Sequence, residues 1–286
     1  MFSRRQLRHN RIVVTGAAGG IGSALARLLV TREEASVILL DRNAAALAAL
    51  QAELPVPTSP NGGRGHRVAC VDITDAAAID AFADSVASEP LDGLINNAGV
   101  AYGGTFETMS MHDFRKVMEV NLMGAVHLTN RLLPQLIDRR GFIANIASGA
   151  GLVAPAGLAA YATSKFALVG FSEALRAELR GRVSVTAICP AFIATDIGKR
   201  AMAPSTLTGE AELHFRETVE SLLHRSGKDP SDAAETILAA IRRERGTVPM
   251  CALTHVIFNA KKLAPALVDL ANHLQFRHLV GLGVMR

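Results

Sequence analysis

The chain has 286 residues, 49% of them hydrophobic, 20% charged and 5% aromatic, with 24 Gly, 11 Pro, 3 Cys and no Trp, a profile that excludes disorder, collagen and a disulfide scaffold. Its length suits one large domain, or one domain with a small appendage. The net charge of +4 is uneven, with +4 in residues 1–11 (Arg4, Arg5, Arg8 and Arg11), +5 in residues 242–286 and −5 between them, which argues against a nucleic-acid-binding face.

Apolar runs of strand length alternate with helix-period segments as far as about residue 250, the pattern of βαβ units around a parallel sheet. Strands are predicted at Arg11 to Thr15, Ser36 to Asp41, His66 to Asp72, Leu91 to Asn96, Gly141 to Ala147, Val183 to Pro190 and Thr247 to Cys251. Val, Ile and Leu fill most of them without clean alternation, as expected when helices cover both faces. Helices are predicted to begin near Gly20, Asn43, Asp75, Ser110, Ala159 and Asp229, with Asn43, Asp75 and Ser110 suited to capping. A last helix is predicted from about Pro265, with Leu263, Leu267, Leu270 and Leu274 on one face. Residues 1–252 read as one domain with a substrate lobe at about 198–227, and 253–286 as a helical extension.

The basic ends read as solvated tails or as contacts to anionic lipid heads. Cys70, Cys189 and Cys251 lie far apart in or beside apolar runs, which fits reduced cysteines buried in strands and predicts no metal site. The basic start resembles a leader, but a glycine motif interrupts its apolar stretch, so none is read there. No uncharged apolar run is long enough to span a bilayer. A cytoplasmic protein, or one peripheral to a membrane through its last helix, is expected.

Directly after the first strand comes Thr15-Gly16-Ala17-Ala18-Gly19-Gly20-Ile21-Gly22, then a helical run. Glycines at such a turn let the backbone approach a pyrophosphate, and the helix start offers N–H donors and a positive dipole end. Asp41 closes the second strand where a dinucleotide fold sets the carboxylate that binds the adenosine ribose. That acid favours NAD over NADP. Arg42 is the counterweight, since a guanidinium there suits a 2′-phosphate.

Further on, Ser148 follows the fifth strand and Tyr161 precedes Lys165 by four residues, so the last two share a helix face. A phenol, with an ordinary pKa of about 10, needs a nearby cation to exchange protons near neutrality, and a serine hydroxyl can hold the substrate oxygen.

Together these segments resemble the short-chain dehydrogenase/reductase family over about residues 10 to 200. TGAAGGIG matches its TGxxxGxG loop, Asn96-Asn97-Ala98-Gly99 its NNAG segment, and Ser148 with YATSK its Ser/Tyr-x-x-x-Lys centre. The resemblance implies a doubly wound Rossmann-like α/β fold, three layers deep, with strand order 3-2-1-4-5-6-7. It implies that Gly16, Gly20, Ile21 and Gly22 face the cofactor phosphates, Asp41 and Arg42 the ribose, and Asp72 with Ile73 the adenine. Asn96 and Gly99 would line the adenosine side, together with Asn97 and Ala98. Asn121, in VNLMG, would complete a Ser-Asn-Tyr-Lys tetrad by holding a water that relays protons to Lys165, and Lys165 would also bind the nicotinamide ribose. CPAFIATD resembles the family's PG-x-I-x-T segment, which puts Pro190, Ile193 and Thr195 at the nicotinamide, with Ala191 where the pattern has Gly.

Substrate should meet Val100 to Met111, Ala150 to Ala160 and about Gly198 to Arg225. The second holds no charge; the first offers Tyr102, Phe106, Met109 and Met111; the third offers Met202, Leu207, Phe215, Leu222 and Leu223. Such walls suit an apolar secondary alcohol or ketone, lipid-like, alicyclic or 3-hydroxyacyl-like. The last helix is read as packing on the body, covering the pocket or joining a homodimer, with membrane contact as the alternative. A homodimer or homotetramer is expected. The competing readings are a non-catalytic NAD(P)-binding sensor or scaffold and, among enzymes, an NADPH-dependent carbonyl or 3-oxoacyl reductase. An epimerase or dehydratase of the extended relatives would want a larger C-terminal domain, and a hydrolase a GxSxG or HExxH motif; the sequence reads as neither.

Overall fold

The computed structural model describes residues 5–56, 65–191, 193–194, 209, 212–213, 217, 221 and 227–281. Seven parallel strands pair in the order β3-β2-β1-β4-β5-β6-β7: β1 (Arg11–Thr15), β2 (Ser36–Asp41), β3 (Arg67–Cys70), β4 (Gly93–Asn96), β5 (Phe142–Ile146), β6 (Ser184–Cys189) and β7 (Thr247–Pro249). Helices α1 (Gly20–Glu33), α2 (Ala44–Glu53), α3 (Ala76–Ser85), α4 (Met111–Met118), α5 (Gly124–Asp138), α6 (Ala159–Glu178), α7 (Pro230–Arg242), α8 (Ala252–Leu263) and α9 (Pro265–Gly281) surround and follow the sheet. A π-turn, Glu119–Met123, joins α4 to α5.

The period of two in each strand divides the core. Ile12, Val14, Val37 and Leu39 face one layer with Leu25 and Leu29 of α1, Leu47 of α2 and Ile237 of α7. Val13, Ile38, Leu40 and Ile143 face the other, with Ile79 of α3, Leu128 of α5 and Leu175 of α6. Both faces are thereby removed from water, which is why the strands read as unbroken apolar runs. Chain order reverses at β1, which pairs Val13 with Ile38 of β2 and with Leu94 of β4. That reversal opens a crevice at the carboxyl ends of β1 and β4, where ligands bind in open α/β sheets.

Caps fix the helix starts. The side chains of Asn43, Asp75 and Ser110 accept from Ala46 N, Ala78 N and Asp113 N at 3.0, 3.1 and 3.0 Å. Asp229 accepts from Ser231 N at 2.7 Å, with Pro230 in the first turn.

Several strands are shorter than predicted. β3 stops at Cys70 because its one partner, β2, ends at Asp41 opposite it. β7 stops at Pro249, and Cys251 leaves the sheet to accept from Thr254 N at the head of α8. The C-terminal helix is a pair, divided at Ala264 (φ −144°, ψ 64°), because a residue before proline is driven out of the helical region. Leu263 therefore ends α8 instead of starting the leucine face of α9.

The N-terminal arginines are not a solvated tail. Arg5 pairs with Glu244, Arg8 with Glu34, and the buried Arg11 with Glu89, while Asp92 accepts from Arg11 N. Arg4 lies outside the described residues. The cysteines are all free, but only Cys189 is buried in a strand; Cys70 is exposed and Cys251 partly buried. Among the described residues no helix is long and apolar enough to cross a membrane, and no cluster of residues could hold a metal ion.

Candidate active site

The glycine loop is a backbone-to-backbone contact. Gly16 has φ +61°, and a Cβ there would stand 2.8 Å from Ala98 Cα, while one on Gly22 would collide with the Gly16 carbonyl. The loop is tied to the next segment by Thr15 Oγ1, which accepts from Asn97 N at 2.9 Å and Ala98 N at 3.0 Å, and by Asn97 Nδ2, which donates to Thr15 O and Gly16 O. Gly19 brings no side chain to cap α1, so the first-turn donors of Gly20, Ile21 and Gly22 face the crevice without an internal acceptor.

Asp41 closes one end of this cradle. Its carboxylate accepts from Ala18 N and from Asn43 N, each at 3.1 Å, spanning the glycine loop and the start of α2. Asp72 is exposed, and its carboxyl is held below the usual carboxylate range, first by the Thr74 N–H and further by the Thr74 hydroxyl, Arg42 and Lys116. Ile73 packs on the head of α5, where a Cβ on Gly124 would collide with it.

Asn96 departs from expectation. Only 3% exposed, it donates to Thr129 Oγ1 at 3.0 Å and to Asn145 Oδ1 at 2.8 Å, so it satisfies polar groups inside the sheet and does not line the adenosine side.

Across the crevice, β5 delivers Ser148 and α6 delivers Tyr161 and Lys165. Lys165 is 4% exposed; its Nζ donates to Ile146 O at 2.9 Å and stands 5.8 Å from the Tyr161 ring centre. A Cβ on Gly99 would lie 3.3 Å from Asn121 Oδ1 and 3.5 Å from Lys165 Nζ, so these three residues converge on one point. Burial pushes the Tyr161 phenol above its ordinary pKa, while the hydrogen bond with the Ser148 side chain pulls it down. Burial brings Lys165 down to about 8. The Cys189 thiol, beside both, is pushed up to about 12 chiefly by burial, which keeps it neutral near pH 7.

Asn121 lies in the π-turn. Its Oδ1 accepts from Val100 N at 2.8 Å, and its Nδ2 donates to Val100 O and to Ser164 Oγ, each at 3.0 Å. The side chain thus fastens the segment after Gly99. Ser164 also donates to Tyr161 O at 2.7 Å; its one signal in the sequence is a polar residue one position before Lys165.

Pro190 O accepts from Gly149 N at 2.6 Å, tying the segment after β6 to the turn after Ser148. Ile193 is buried and bridges to Lys228. Ala191 is not among the residues with positive φ, so its position does not require glycine. Thr195, most of the 198–227 lobe, and Met202, Leu207, Phe215, Leu222 and Leu223 lie outside the described residues.

The apolar walls are partly as expected. Phe106 and Met111 are exposed, but Tyr102 is fully buried with Val117 and Ala160. Among the described residues its hydroxyl has no hydrogen-bond partner, and its pKa is pushed up to about 12, chiefly by burial. Tyr102 is therefore core packing behind the wall, not a lining residue.

A phenol held between a serine hydroxyl and a buried ammonium, opposite a glycine cradle closed by an aspartate, can exchange a proton with a bound hydroxyl or carbonyl oxygen. The family model described as short chain dehydrogenase matches residues 10–205. Dehydrogenase/reductase SDR family member 7B of Bos taurus is 34% identical over 274 residues, 92% of this chain and 80% of that protein. D-threitol dehydrogenase of Mycolicibacterium smegmatis is 39% identical over 194 residues, 66% of this chain and 72% of that protein. A short chain dehydrogenase/reductase from Burkholderia phymatum, solved in complex with NAD, superposes with a TM-score of 0.80 at 27% identity, covering 93% of this chain and 96% of that one.

Proposed function

The chain belongs to the short-chain dehydrogenase/reductase family and is an NAD(P)-dependent oxidoreductase, and on that premise we propose that its substrate is an apolar secondary alcohol or ketone, with Tyr161 as the general acid/base. The observation that carries this reading is the buried Lys165 ammonium one helical turn from Tyr161 and 5.8 Å from its ring centre, with the Ser148 side chain drawing the phenol down against burial. The bound nicotinamide would supply the hydride acceptor or donor. Gly16, Gly20, Ile21 and Gly22 fit its phosphates, because the loop packs backbone to backbone at Gly16 and Gly22 and no side chain caps the first-turn N–H groups of α1. Asp41 and Arg42 fit the ribose, Asp72 and Ile73 the adenine, Asn97, Ala98 and Gly99 the floor beneath, and Pro190 and Ile193 the nicotinamide end. Ser148 orients the substrate oxygen and Lys165 stabilises the phenolate that forms when Tyr161 gives up its proton.

The substrate class follows from the wall between Ser148 and Tyr161. From Gly151 to Ala160 no side chain carries a polar group, and Phe258 packs with Leu152 and Val153 behind it. Such a wall offers nothing to replace the hydration of a polyol. Oxidation of 2-decanol or cyclohexanol should therefore exceed that of threitol by about 100-fold in kcat/KM, and the reverse ranking would sink the apolar assignment.

Cofactor choice rests on Asp41. Fluorescence titration should show NADH binding about tenfold tighter than NADPH, and Asp41→Ala should remove that preference. Tighter binding of NADPH by the wild type would transfer the role to Arg42 and turn the reading to an NADPH-dependent reductase. A homodimer or homotetramer is part of the same proposal, with α4, α5 and α6 as the assembly faces.

A further inference from the structure

Helix α9 is attached to the body by one narrow stripe. Ala264, Val268, Asn272 and Phe276, spaced by four, are partly buried. Leu267, Leu270 and Leu274 are 68%, 54% and 55% exposed, and Leu263 at the end of α8 is 88% exposed. Spacings of three and four put the leucines of α9 on one side, and the same spacings beyond Leu274 bring the exposed Arg277 and His278 into line with them. Lys261 and Lys262 stand at the other end, the first partly buried and the second exposed, with their ammonium groups 5.2 and 4.1 Å from the Phe166 and Phe258 ring centres. Residues 252–286 hold four Lys/Arg against one acid, Asp269.

The inward side of α9 grips the wall of the candidate pocket. Asn272 Nδ2 donates to Ala154 O at 2.8 Å, and Asn272 Oδ1 accepts from Ala156 N at 2.9 Å. That segment has no polar side chain and can be held only through its backbone. Gly157 O then accepts from Gly104 N at 2.9 Å, joining this wall to the one opposite. At the head of α8, the Thr254 side chain lies 3.2 Å from where a Cβ on Gly149 would stand, next to Ser148.

We propose that α9 docks on an anionic lipid surface through Leu267, Leu270 and Leu274 with the flanking Lys261, Lys262 and Arg277, and that Asn272 couples this docking element to the substrate wall. Exposed leucines edged by cations match the apolar boundary and negative heads of such a surface. A second copy of the chain on this face would set the same cations against each other. The coupling half rests on the reading of Gly151 to Ala160 as a substrate wall, whereas the docking half does not.

The test is sedimentation of the full chain with vesicles of phosphatidylcholine alone or mixed with phosphatidylglycerol. Binding to the mixed vesicles should be about tenfold stronger than to the neutral ones and should weaken in high salt. The variant Leu267→Ser/Leu270→Ser/Leu274→Ser, whose changes are all at exposed positions, should keep its circular dichroism and lose about tenfold or more of that binding. Equal binding by the variant overturns the docking surface, and so does a wild-type dimer that ignores vesicles and that the variant dissolves. For the coupling, hydrogen exchange at the Ala156 amide should slow on mixed vesicles in the wild type. Asn272→Leu should bind those vesicles yet lose the slowing, and an unchanged Ala156 rate in the wild type overturns the coupling. Neither readout uses turnover, so a failure of the substrate reading in the alcohol comparison stays distinct from a failure here.

Discussion

Tyr161→Phe should lower turnover of any alcohol or ketone the enzyme accepts by about 10²–10⁴-fold, the range that a positioned acid/base supplies. The ring would remain, so its packing beside Lys165 and the fold of α6 should survive. The glycine cradle and Asp41 lie across the crevice and are untouched, so NADH affinity should stay within about twofold. Loss of turnover with binding retained separates an acid/base from a residue that merely shapes the site. A variant retaining more than a tenth of wild-type activity would remove Tyr161 from that role. A wild type that binds cofactor and turns over no alcohol or ketone would favour the non-catalytic sensor.

Much of the fold was legible because burial on both faces of a parallel sheet leaves runs of Val, Ile and Leu that are hard to mistake, as in Ser36–Asp41. The helix starts at Asn43, Asp75 and Ser110 were legible for a local reason, since each cap acts within three residues of itself. The convergence of Gly16, Asn97 and Ala98, and of Gly99, Asn121 and Lys165, could be anticipated only from the order of motifs; the distances depend on strand pairing between β1 and β4.

What failed was decided by long-range partners. Asn96 reads like a ligand residue but is claimed by Thr129 and Asn145, 33 and 49 residues away. Tyr102 reads like an aromatic wall but is closed over by Val117 and Ala160. The N-terminal arginines read like a tail, yet Arg5 finds its carboxylate 239 positions later in Glu244. Asn272 had no motif at all, because its function as a clamp lies in reaching backbone groups 116 and 118 positions earlier.

Lys165→Met should slow the reaction and stabilise the cofactor-free protein, and the two effects have one cause. Lys165 is 4% exposed, and among the described residues the one hydrogen bond of its ammonium is to a backbone carbonyl, Ile146 O. Burial therefore brings its pKa from the ordinary 10.5 to about 8. Below pH 8 both folded and unfolded chains carry the proton, and folding bears the full cost of burying a charge. Between about 8 and 10.5 the unfolded chain binds more protons, so stability rises with pH. Above that range the lysine is neutral in both states and the penalty is gone. Methionine has similar bulk and no charge, so the variant should melt higher than wild type at pH 7, by roughly 2–3 kcal/mol at most, with the gap closing above about pH 10. In catalysis the sign reverses. Without the cation the Tyr161 phenolate loses its stabilising partner, and the acid limb of alcohol oxidation, where Tyr161 must give up its proton, should move up by about two pH units, with kcat/KM near neutrality down about 10²-fold. Thermal melts and pH–rate profiles of the same two proteins check both halves. A variant that melts lower at pH 7 would mean that the ammonium is compensated in the empty site, and a pH profile that stays in place would mean that Lys165 does not set the acidity of Tyr161.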